Sequence, residues 1–132
     1  MGNFSKQKGK RGENEFSAWL AQALGHGEAA DPAAAPRAQV QAHGADCLCV
    51  SGLAIEVKRC ETLRIAAWWA QAAVQADALG LVPVLAYRQN RKAWRFLLPA
   101  ALLSIGLEGT IELDAGTFRQ WLLHWVKGYP LA

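Results

Sequence analysis

A single α/β domain with a mixed central sheet is the fold class this sequence predicts, and three observations predict it. The 132 residues are the length of one ordinary domain. At 52% apolar, the chain can bury a core, which excludes wholesale disorder. An Ala-rich helical segment, Leu63 to Leu79, separates short β-favouring runs on its two sides, and that arrangement calls for a crossover.

The chain opens on Lys6, Lys8, Lys10 and Arg11, four cations ahead of the first acid. Residues 1–11 are predicted to form a basic arm, and residues 6–11, with four cations and no apolar anchor, are expected to be mobile without DNA. The same stretch lacks an apolar h-region, so no secretory signal is expected. No apolar run reaches the ~18 residues a membrane span needs. Phe16, Leu20 and Leu24 recur at helical spacing, which predicts an amphipathic helix from Gly12 to Leu24. The Gly-, Ala- and Pro-rich stretch 25–38 reads as a loop.

Cys47–Val50 and Leu53–Lys58 read as a strand pair around Ser51-Gly52, and the Leu63–Leu79 helix stops before Gly80. Leu81–Tyr87 and Ala93–Leu98 are two further strands, and Ile111–Leu113 a short one. Asp114 caps a last helix that runs to about Val126. Between the strands, Arg88, Arg91, Lys92 and Arg95 cluster without an acid and interleave with Tyr87, Trp94 and Phe96. Together with the N-terminal cations they suit phosphate binding, in a chain of net charge +3, although charge runs are also simply solvated. The odd count of three cysteines predicts thiols and a cytoplasmic location, not a disulfide framework, and no C-x-x-C pair suggests zinc.

The sharpest feature is Ile55-Glu56-Val57-Lys58. On a strand Glu56 and Lys58 share one face and Ile55 and Val57 the other. Alone, that is a common surface ion pair. Asp46, ten residues earlier, changes its meaning through the hairpin register. A two-residue loop, Ser51-Gly52, sets Asp46 opposite Val57, on the wrong face. A three-residue loop, Val50-Ser51-Gly52, pairs Cys49 with Leu53 and Asp46 with Glu56, and Gly52 suits the left-handed position such a loop ends on. Two converging carboxylates repel unless a cation joins them, and oxygen ligands suit Mg²⁺, with Mn²⁺ as a substitute. A lysine beside them equips the site to hydrolyse a phosphodiester. Two acids at a solvated sheet end are the plain alternative. Glu13 lies on the apolar stripe of the first helix, and Gln71 shares a helix face with Ala67, Val74 and Ala78. For Gln71 a tolerated amide on an Ala-rich helix is the other reading. His43 sits near Asp46 and reads as an ordinary loop histidine.

These residues, in this order, resemble the PD-(D/E)xK nuclease superfamily, whose αβββαβ core is a restriction-endonuclease-like fold. Its signature corresponds here to Glu13, Asp46, Glu56-Val57-Lys58 and Gln71. Within it, Lys8-Gly9-Lys10-Arg11-Gly12-Glu13-Asn14-Glu15-Phe16, Asp46-Cys47-Leu48 and Ile55-Glu56-Val57-Lys58 look most like the archaeal and phage Holliday-junction resolvases. Ala45 stands where the superfamily name has Pro. The resemblance covers residues 8–98 and leaves 99–132 as a C-terminal extension. It implies that Glu13, Asp46, Glu56 and the Val57 carbonyl hold Mg²⁺, that Lys58 orients the attacking water and that Gln71 supports it. Lys6, Lys8, Lys10, Arg11, Arg37, Arg88, Arg91 and Lys92 would bind DNA phosphates, branched or duplex. A homodimer is implied, since a four-way junction needs two symmetric cuts. Other nucleases of the superfamily, VRR-NUC-type or flap-directed, and a non-catalytic DNA-binding domain of the same fold are the alternatives. Trp68-Trp69 is read as core or dimer interface.

Overall fold

The computed structural model describes residues 2–25 and 47–128, with side chains from residue 11 onward. The elements are α1 (Gly2–Ala23), β1 (Leu53–Arg59), α2 (Ile65–Leu79), β2 (Val82–Arg88), β3 (Arg95–Pro99), β4 (Thr110–Asp114) and α3 (Ala115–Lys127). The strands form one mixed sheet in the order β1-β2-β3-β4. β1 and β2 run parallel, joined through α2; β2–β3 and β3–β4 are antiparallel. This is the α/β domain the sequence predicts. Among the described residues β1 is the one full strand between α1 and α2, and Cys47 adds a single antiparallel bridge to Ile55. The further strand expected ahead of β1 thus reduces to that bridge.

Side-chain alternation divides the sheet into two faces. Leu53, Ile55, Val57, Val84, Ala86, Phe96 and Leu98 pack against Phe16 and Leu20 of α1 and Phe118 and Leu122 of α3. This is the main core, and aromatic rings fill it: Phe96 stacks on Phe118 with centroids 3.8 Å apart, and Trp19 lies 5.0 Å from Phe96. On the opposite face α2 buries Trp68, Ala72 and Ala76. Trp68 packs with Leu85, Tyr87 and Leu97, and Trp69 packs against that cluster, so both tryptophans belong to the core beneath α2. β4 and α3, in the stretch read as an extension, belong to the same sheet and core.

Local signals explain the ends. Gly80 takes φ 68° and closes α2 as a left-handed cap. Asp114 accepts from the Thr117 amide at 2.7 Å, which caps α3 as expected and holds its carboxyl below the usual range. Two expectations need correction. The basic N-terminal segment is helical from Gly2 rather than a loose arm, because Lys, Gln and Arg are good helix formers and no proline interrupts them. Cys47 and Cys49 are joined as a disulfide rather than free thiols, since residues two apart share a strand face with Cα atoms 5.5 Å apart; Cys60 remains free.

Where α2 ends, the sheet face it covers becomes polar. The Tyr87 hydroxyl donates to Glu112 Oε1 at 2.6 Å, and Arg95 donates to Glu112 Oε2 through Nη2 at 2.7 Å and Nε at 3.2 Å. Burial and then the Glu112 contact push the Tyr87 hydroxyl up from 10.0 to about 12. A raised tyrosine pKa contributes stability that is present below the unfolded value and lost as pH rises through the folded one. Tyr87→Phe is therefore expected to lower stability by about 1 kcal/mol at neutral pH. It should also flatten the alkaline limb between pH 10 and about 12, read as melting temperature against pH. Parallel curves for the two proteins across that range would contradict the assignment.

Candidate active site

Glu56 and Lys58 lie on β1, on the face that α2 covers, as the strand period requires. Glu56 is only 3% exposed. Lys58 Nζ stands 3.5 Å from Glu56 Oε1, with its side chain 28% exposed, so the ammonium lies between the buried carboxylate and solvent. An ionised carboxylate is costly to bury unless a cation or hydrogen bonds answer it. On this strand the answering charge is two residues away.

The register of the preceding segment is the one the three-residue loop predicts. Cys47 and Ile55 exchange both backbone hydrogen bonds, at 2.9 and 3.0 Å. Leu53 N–H donates to the Val50 carbonyl at 3.1 Å, so the chain turns tightly around Ser51-Gly52, with Gly52 at φ 87°, and the expected Cys49–Leu53 pair is replaced by this turn bond. Leu48 packs with Ala54 and Ala76 on the Glu56 face, while Cys47 and Val50 turn into the main core. Asp46, Arg37 and His43 lie outside the described residues.

Glu13 is half-buried on α1, one turn ahead of Phe16. Gly12 beside it comes so close to β1 that a Cβ there would stand 3.0 Å from Arg59 Cβ. Glu15, which the sequence reading passes over, contacts two arginines. Its Oε2 lies 2.9 Å from Arg59 Nε and 3.3 Å from Arg88 Nη1, where β1 and β2 end side by side. Only strand order could reveal that pairing. Gln71 is exposed. The large Trp68 sets the helix phase and turns Ala72 and Ala76 inward with it, which leaves Gln71 on the outer face with Ala67 and Val74. The supporting role of Gln71 beside Lys58 is therefore a proposal for an exposed side chain on the helix that covers the Glu56 face.

The cations gather at one rim. Gly12 and Glu15 meet the C-terminal ends of β1 and β2, so the part of α1 carrying Lys6, Lys8, Lys10 and Arg11 extends past that rim. Arg91 and Lys92, both exposed, occupy the β2–β3 turn there. Glu61 fastens this turn, accepting from the Asn90 amide at 2.7 Å through Oε1 and from Gln89 Nε2 at 2.8 Å through its carbonyl. Among the described residues no group of three or more His, Cys, Asp or Glu side chains gathers for a metal, and no helix is long and apolar enough to cross a membrane.

A buried Glu-x-Lys strand inside an α/β domain with a mixed sheet is compatible with a nuclease of PD-(D/E)xK type. The chain matches the family described as phage putative PDDEXK endonuclease over residues 4–119 and belongs to it. Nothing among curated proteins or solved structures matches the chain.

Proposed function

We propose that this nuclease is a divalent-metal-dependent, structure-selective DNA endonuclease, and that its substrate is a Holliday junction. The observation that carries the reading is the buried Glu56 beside Lys58, on a strand whose hairpin has the three-residue register. Continued by one residue, the Cys47–Ile55 register would set position 46 against Glu56. The donors so assembled are carboxylate oxygens, a set that fits Mg²⁺ or Mn²⁺. Asp46 and Glu56, with Glu13 and the Val57 carbonyl, would hold such a cation, which supplies polarisation of the phosphoryl group and acidification of a bound water.

Lys58 offers a charged donor beside the scissile phosphate and orients the attacking water. The cations of α1, with Arg37, Arg88, Arg91 and Lys92, contact backbone phosphates, which position DNA without reading sequence. The junction substrate implies a homodimer: a four-way junction has near two-fold symmetry, and an isologous pair would present two sites in that relation.

The test is incubation with a synthetic four-way junction and a linear duplex of the same sequence, with Mg²⁺ and with chelator. Paired nicks in the junction alone, lost with chelator, are expected. Equal cutting of both substrates would remove the junction assignment, and cutting in chelator would remove the metal. The basic stretch makes a separate prediction. Deleting residues 2–8 removes Lys6 and Lys8, so the slope of log affinity against log salt should fall by up to about 2. Cleavage at saturating DNA should stay near normal, because no proposed ligand is lost. Unchanged affinity and slope would shift the phosphate contacts to Arg91 and Lys92.

A further inference from the structure

The C-terminal half of α3 touches the hairpin that fixes the site. Trp125 Nε1 donates to the Ser51 carbonyl at 2.8 Å, across 74 residues of sequence. The same ring edge crowds Gly52, so close that a Cβ there would stand 2.9 Å from Trp125 Cζ2. Behind Trp125 the rings continue inward. Trp121 stacks at 5.2 Å, Phe118 lies 5.5 Å from Trp121, and Phe96 stacks on Phe118 at 3.8 Å. An aromatic column thus runs from the centre of the core to the 50–52 turn.

That turn fixes the register in which Cys47 pairs with Ile55, and with it the face proposed for position 46. A slip to the two-residue form would set position 46 opposite Val57, on the α1 side, and take its carboxylate away from Glu56. The slip would also move the Ser51 carbonyl from the Trp125 N–H and bring a different backbone against the ring. A hairpin this short has little register specification of its own, since Cys47 alone is bridged to β1 among the described residues of that segment. Only glycine tolerates both φ 87° and the contact at position 52.

We infer that Trp125 is a positioning residue of the hydrolytic site, holding the 50–52 turn in the register that sets Asp46 against Glu56. The inference rests on the nuclease reading above. Trp125 lies beyond residue 119, where the family match ends, so this fastening is additional to the matched residues.

The test uses the full chain with Trp125→Phe, which keeps an aromatic ring in the column but removes the Nε1 donor and trims the edge against Gly52, and Trp125→Ala. Amide exchange, Mn²⁺ affinity and the kcat and KM for DNA are measured. In Trp125→Phe the amides of Cys47, Leu53 and Ile55 should exchange about fivefold faster, the equivalent of one net hydrogen bond, while β2 and β3 amides keep their rates. Trp125→Ala should exceed this, weaken Mn²⁺ binding and lower kcat by about tenfold, with the DNA KM unchanged because no phosphate contact is touched. Trp125→Phe should fall between wild type and Ala. Faster exchange in every strand alike, or a loosened hairpin with wild-type Mn²⁺ affinity and kcat, would overturn the inference. Failure of the nuclease reading looks different: wild type itself then neither binds Mn²⁺ through Glu56 nor cuts DNA, and the site role falls with it, whatever the hairpin exchange shows.

Discussion

Glu56→Gln is expected to lower kcat by about 10³-fold or more while the fold and DNA affinity persist. The amide has nearly the same shape but carries no charge, so it is a poor ligand for a hard cation and leaves Lys58 without its partner at 3.5 Å. Asp46→Asn should lose cleavage equally, with DNA affinity unchanged or raised, because removing a negative charge lessens repulsion of phosphates. Initial rates at saturating DNA, with circular dichroism as the folding control, check both. A variant that cuts at the wild-type rate would show that its residue is outside the site.

The largest effect on stability is expected at the aromatic centre. Phe96 is fully buried, stacks on Phe118 at 3.8 Å and lies 5.0 Å from Trp19. Phe96→Ala deletes the ring on which α1, α3 and the sheet all close. Its cost should be about 3–5 kcal/mol, from lost transfer energy and the cavity left behind. That is a large share of the ~5–15 kcal/mol a domain holds in all. The melting temperature should drop by roughly 10–20 °C. A cost under about 2 kcal/mol would mean that the neighbouring rings collapse into the space and that the column is looser than its stacking suggests.

The readable parts of this fold are those with a strict local rule. Gly52 and the two-residue strand period favour one hairpin register, and the Cys47–Ile55 pairing has it. Asp114 and Gly80 mark helix ends because capping is a matter of one or two residues. The phase of α2 was not readable from its alanines, since Ala is equally at home buried or exposed; one large side chain, Trp68, decides it. The N-terminal cations read as an arm by charge, yet Lys, Gln and Arg are also good helix formers, and the segment is helical. The contacts of Glu15 with Arg59 and Arg88, the Tyr87–Glu112–Arg95 network and the bond from Trp125 to Ser51 join distant segments. Each depends on strand order or helix placement, which no local pattern encodes.

The central claim is that Asp46 and Glu56 share one divalent cation. Calorimetric titration of Mn²⁺ into wild type, Asp46→Asn and Glu56→Gln, without DNA, tests it most directly. The account predicts that wild type binds and that each single variant loses about 10- to 100-fold in affinity, or all detectable binding. Wild-type affinity in either variant would contradict it.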